Sequence, residues 1–191
     1  VLGFSTVNGI TGTYNSVSGV LTLTGTATVA QYQAALRTVT YNSTSEDPTA
    51  TSTSRTITWS VTDANSDGVG AQTSTGVTST VNVTAVNDKP VATAGATLAY
   101  TENAAAAVID NSITLSDVDD TQIAGATVTI STGLTTGDVL GFSTVNGITG
   151  TYNSVSGVLT LTGTATVAQY QAALRTVAYY STSEDPTAKI G

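Results

Sequence analysis

The chain has 191 residues, of which 9% are charged, and carries a formal net charge of −8 with no Cys, Met or His. Without Cys or His it has no soft metal site of the zinc kind, no thiol nucleophile and no Ser-His-Asp triad. Its acidic balance offers little to neutralise phosphates, so nucleic acid is not an expected partner, and no run of ~20 apolar residues promises insertion into a membrane.

Most segments alternate apolar and polar residues with period two and are rich in Thr and Val, which is the pattern of half-buried strands. Asn8-Gly9 and Ser18-Gly19 are turn signals, and Val20-Leu-Thr-Leu-Thr24 is the first clear strand. Thr28–Arg37 departs from this rhythm: Val29, Tyr32 and Leu36 stand at helical spacing, and Thr28 with Gln31 forms a capping-box signature. A short helix crossing between sheets is expected there. Residues 38–42 return to strand, and Arg55–Val61 then places Ile57, Trp59 and Val61 on one face. After the turn Asn65-Ser-Asp67-Gly68, Val77, Val81 and Val83 share a face of the next strand. Asn87-Asp88-Lys89-Pro90 interrupts the pattern, because proline ends ladder pairing and stiffens the joint. Residues 96–101 read as a further strand, and Ala126, Val128 and Ile130 share one face of another. Short strands so punctuated argue for an all-β, antiparallel, Ig-like sandwich.

From Val139 the sequence begins again. Residues 1–50 and 139–188 agree at 48 of 50 positions, with Ala178 standing for Thr40 and Tyr180 for Asn42. Positions 40 and 42 share parity, so tolerance of Tyr180 points that face to solvent and turns Val39 and Tyr41 to the core. The period of 138 residues makes each unit a whole domain, a bead in a tandem array. A boundary at the linker makes residues 1–88 the C-terminal part of one repeat and 89–191 the N-terminal part of the next. Neither part holds a complete sandwich, so each is expected to be completed by adjacent repeats or identical chains. Val1 falls inside a repeat, and the chain reads as a window cut from a longer array. A single permuted domain over residues 1–138 is the alternative frame.

The acids are unevenly placed: residues 1–45 contain none. Glu102 is expected at a strand end, Asn87 and Asp88 lie in the linker, and Asp117, Asp119 and Asp120 fall within four residues. Carboxylates this close repel one another unless solvated or bridged by a cation. Ca²⁺ takes about six to eight oxygens in irregular geometry and suits such a set, while a wet acidic loop is the plain alternative.

The order Glu102-Asn103, then Asp117-Val-Asp119, then a strand ending, then Asn87-Asp88-Lys89-Pro90 at the joint resembles a cadherin repeat. It is most similar to the bacterial cadherin-like tandem repeats of large surface adhesins. That resemblance implies calcium ions at the joints between sandwiches, with Asn87, Asp88, Glu102, Asp117 and Asp119 as ligands. Asp63 matches a further acidic ligand serving the joint before its own domain. The chain also departs from the pattern, since Ala85 replaces the first linker Asp and the Asp-Arg-Glu element has no match. A thinner ligand set is implied.

Other candidates carry less. Asp110 and Asp138 are expected in turns, and Asp63 with Asp67 in a hairpin turn. Tyr14, Tyr32, Tyr41, Tyr100 and Trp59 alternate at core parity rather than forming a sugar platform. Glu46 and Asp47 are adjacent and point to opposite faces of a strand, which makes a poor acid/base pair. The sequence thus points to a non-enzymatic, extracellular structural element, a calcium-stiffened spacer of a surface adhesin or filament. The alternative is an interaction module that binds sugar or protein or joins chains into a fibre.

Overall fold

The computed structural model describes residues 1–186. The chain is all-β in character, with strands in small antiparallel sheets and two short helices among the described residues. It divides into two compact units, Val1–Val86 and a second from Asn87 onward. In the first, the order is β1 (Leu2–Gly3), β2 (Thr11–Asn15), β3 (Val20–Thr24), α1 (Val29–Leu36), β4 (Thr40–Tyr41), β5 (Ser54–Trp59) and β6 (Val77–Asn82). In the second it is β7 (Val91–Thr93), β8 (Ala107–Val108), β9 (Thr114–Ser116), β10 (Gln122–Thr129), β11 (Asp138–Gly141), β12 (Thr149–Asn153), β13 (Val158–Thr166), α2 (Val167–Leu174) and β14 (Ala178–Ser181).

Copied sequence gives copied local structure. Tyr14 faces Leu21 across β2 and β3, and Tyr152 faces Leu159 across β12 and β13. Leu2 faces Tyr41 on β1 and β4, as Leu140 faces Tyr179 on β11 and β14. Both helices begin with a complete capping box, Thr28 with Gln31 and Thr166 with Gln169. Asn8-Gly9 turns the chain with φ of 53° and 75°, the left-handed pair that a tight hairpin demands, and Asn146-Gly147 repeats it. The partners of every one of these pairs lie within the repeated fifty residues, which is why both copies form them.

The sheets differ in completeness. The first unit holds three two-stranded ladders, β1-β4, β2-β3 and β5-β6. The second holds two three-stranded sheets, β10-β13-β12 and β11-β14-β8, and the pair β7-β9. Strands of both larger sheets, together with α2, feed one core of Ile123, Leu140, Ile148, Leu159, Leu161, Ala165, Tyr170, Ala173 and Val177. β10 reaches that core through a bulge between Ile123 and Gly125. The bulge shifts parity, so that buried Ile123 and half-buried Ala126, Val128 and Ile130 all pack against the same cluster.

Asp138 is the buried acid of this unit, 4% exposed at the start of β11. Its Oδ1 accepts the Tyr179 hydroxyl at 2.6 Å, its Oδ2 accepts the Thr135 N–H at 2.8 Å, and its carbonyl accepts the Tyr152 hydroxyl at 3.0 Å. Burial, then the bond to Asp138 and its negative charge, push the Tyr179 phenol up to about 12. Tyr152 shifts the same way, from burial and then the Asp138 charge.

Several expectations need correction. Residues 96–101 form no strand; the strand lies earlier, at Val91–Thr93, where it can pair with β9. Asp138 closes the turn as expected, its N–H donating to the Thr135 carbonyl at 3.2 Å and its Oδ2 accepting the Thr135 N–H at 2.8 Å, and it is also the first residue of β11. Val29 is 88% exposed, and the inward stripe of α1 is Tyr32, Ala35 and Leu36. Val61 lies past the end of β5 and is 46% exposed, while Ile57 and Trp59 are half-buried and the Trp59 indole N–H donates to Ser79 Oγ at 3.0 Å.

Leu161 is fully buried and its sequence twin Leu23 is half-buried. Leu161→Ala should therefore cost the second unit about 2–5 kcal/mol, and Leu23→Ala should cost the first unit well under half as much, measured by urea unfolding followed through assigned amides of each unit. Alkaline titration gives a second check. The folded Tyr179 value lies above its ordinary 10.0, so its contribution is complete below that pH and fades as pH climbs toward 12. Tyr179→Phe should reduce that alkaline loss and cost about 1–3 kcal/mol at neutral pH by leaving the Asp138 Oδ1 without its donor.

Candidate metal centre

β9 ends at Ser116, and a short loop leads to β10 at Gln122. Asp117 shapes that loop: its Oδ1 accepts the N–H groups of Asp119 at 3.3 Å and Asp120 at 3.2 Å. This is the local turn for which Asp is suited. Folding the loop onto Asp117 also gathers its neighbours, so that carboxylate oxygens of Asp117, Asp119 and Asp120 all lie within 4.8 Å of one another.

The linker joins this cluster. The Asp88 N–H donates to Asp119 Oδ2 at 2.9 Å, a contact spanning 31 positions of sequence. The Asn87 side-chain amide donates to the Asp88 carbonyl at 2.6 Å, which fixes the amide nitrogen and leaves the carboxamide oxygen available. Asp119 Oδ1 is buried with no hydrogen-bond partner. A carboxyl oxygen held out of water beside two further carboxyl groups is the kind of atom a hard cation satisfies.

The electrostatics follow from this crowding. Asp117 is held below the usual carboxylate range, chiefly by the Asp120 N–H, with burial opposing and the Asp119 carboxyl and N–H assisting. Asp119 is raised: the Asp88 N–H pulls it down, but burial, the neighbouring Asp117 carboxyl and the charges of Asp117 and Asp120 together outweigh that bond.

Of the residues expected at the site, Asp117 and Asp119 are brought together, and Asp88 reaches them through its backbone. Glu102 is not in the carboxylate cluster; it lies exposed in a turn rather than at a strand end. Asp63 lies in the first unit, where its Oδ1 accepts the Asn65 N–H and its Oδ2 the Gln72 N–H, bracing a hairpin end. Asp120 belongs to the cluster although only its proximity in sequence signalled it. Asp110 is likewise a brace, accepting from Gly95, Ala96 and Ser112; the Ser112 hydroxyl and these backbone N–H groups hold it far below the ordinary carboxylate value.

Over 117 residues, 58% of its length, the chain is 41% identical to Halomucin of Haloquadratum walsbyi, and it spans 1% of that protein. No family model matches the chain, and no solved structure matches it. Among the described residues no helix is long and apolar enough to cross a membrane.

Asp119→Asn keeps an oxygen for the Asp88 N–H and removes one of the crowded charges. In chelator at neutral pH it should raise the melting temperature of the second unit, read by calorimetry; a fall would mean that the Asp119 charge is favourably placed.

Proposed function

We propose that this chain is a non-catalytic, calcium-stiffened spacer of an extracellular adhesin or surface filament. The observation that carries the reading is the buried, unpartnered Asp119 Oδ1 among three converging carboxylates, tied to the linker by the Asp88 N–H. Asp117, Asp119 and Asp120 would hold the ion, with the Asn87 carboxamide oxygen and the Asp88 carboxylate nearest in sequence to complete its shell. Bound Ca²⁺ would supply positive charge and accept oxygen ligands that otherwise repel one another.

The consequence is mechanical. Residues 87–90 lead into the second unit, and tying them to the loop at 117–120 removes backbone freedom where the chain enters that unit. Near-verbatim repetition also suits a spacer, because length needs only a unit that folds and joins, whereas recognition needs a particular surface. Similarity to a small part of Halomucin supports placement in a very long chain. Adjacent repeats or identical chains are the partners this reading implies.

Calcium titration tests the proposal. At a free concentration 100 times the dissociation constant, binding to the folded state alone should stabilise the second unit by about 2.7 kcal/mol. Asp117→Ala should abolish that gain. An unchanged melting curve in calcium and in chelator would remove the metal from the account.

A further inference from the structure

Ten asparagines occur in the chain, and most have a structural task. Asn8, Asn65, Asn103 and Asn146 take positive φ, which asparagine tolerates better than most side chains. Asn15 and Asn153 brace hairpin tips: Asn15 Oδ1 accepts the N–H groups of Val17 and Ser18, and Asn153 Oδ1 those of Val155 and Ser156. Asn87 donates within the linker. Asn42 and Asn82 have no such task. Both are exposed, and their side chains make no hydrogen bond among the described residues. Asn82 is the last residue of β6, a setting in which asparagine is disfavoured.

These two are also the only asparagines followed two positions later by a hydroxyl residue, in Asn42-Ser43-Thr44 and Asn82-Val83-Thr84. With no proline between, that spacing is the acceptor signature for asparagine-linked glycans. The structure presents both signatures for transfer. Thr44 and Thr84 are exposed, and their hydroxyls have no partner among the described residues. Strand parity turns both amides outward: Tyr41 beside Asn42, and Val81 and Val83 around Asn82, are the half-buried neighbours. Across the ladder Asn82 faces Ser54, a small residue that leaves the amide open. The twin of Asn42 is Tyr180, so this outward position accommodates a ring in the other copy.

We propose that Asn42 and Asn82 are acceptor sites for an N-linked oligosaccharide, taken from a polyprenyl (di)phosphate donor by the oligosaccharyltransferase of the exporting cell. In the transfer the sugar's anomeric carbon parts from the donor's phosphate oxygen, which keeps the electron pair. That carbon bonds to the asparagine Nδ2, which gives up one proton to a base. The inference rests on the extracellular reading and needs no metal. A glycan is bulky and solubilising, and it supplies hydrated cover that a chain with 9% charged residues is short of. It also separates the two near-identical stretches, because Tyr180 removes the acceptor from the second.

The test uses the intact protein on its producing cells, labelled with a membrane-impermeant amine reagent and then captured. Trypsin releases residues 38–55, Asp-N protease releases residues 67–87, and fragment mass spectra locate any sugar. Both peptides should carry glycan on their asparagine, and the tryptic twin containing Tyr180 should be bare. Thr84→Ala, made in the same cells, keeps Asn82 and alters an exposed, unpartnered side chain. It should strip the sugar from 67–87 and leave that on 38–55. Labelled protein with Asn42 or Asn82 bare would overturn the inference and leave the spacer reading standing. Protein that escapes the label on intact cells would overturn the extracellular reading and this inference with it. Sugar retained at Asn82 in the Thr84→Ala chain would also overturn the inference.

Discussion

A β-strand that is to bury both its ladder groups and one face needs a partner on each edge. β13 has two and its apolar residues are sealed; β3 has the same residues and one partner, and they stay half-open. The core of the second unit rests on this arrangement. β10 supplies Ile123, Ala126 and Val128, α2 lays Tyr170 and Ala173 against the same cluster, and Leu140 enters from the other sheet. The packing comes from segments far apart in sequence, and the short-range pairs alone do not produce it.

Around that core the polar groups are placed where each has a use. Asp138 is enclosed and satisfied by Tyr179 and Thr135, so a buried carboxylate helps to hold β11 and β14 in register. Asp110 pins residues 95–96 to the start of the next segment. The cluster at 117–120 differs from both. Its members are turned toward one another, one oxygen lacks a partner, and its link to the linker runs through a backbone N–H. Structural braces neutralise their demand for hydrogen bonds, and this loop does not. That difference sets the loop apart from the braces in a chain otherwise sparing of charge.

Much of the fold was legible because it depends on near neighbours. The capping boxes, the Asn8-Gly9 turn, the strand at 20–24 and the inward parity of Val39 and Tyr41 each follow from a few adjacent residues. The strand expected at 96–101 failed for the complementary reason: alternation alone cannot say whether a partner is present, and β9 pairs the earlier residues 91–93. Ile123 was missed because the bulge before Gly125 changes parity, which no count of alternating positions reveals. At the site, the tight Asp117–Asp120 run was visible, whereas the placing of Glu102 in an exposed turn and of Asp63 in the first unit's hairpin was not.

Nearly identical stretches of fifty residues in one chain separate the two levels cleanly. The sequence by itself determined the turns, the caps and the β2–β3 type of hairpin, since hydrogen bonds spanning a few residues close them wherever the stretch occurs. Only the tertiary structure decided which of those residues are interior. Burial is set by what covers a side chain, and the covering strand, β10, comes from outside the repeated stretch and is paired only with the second copy.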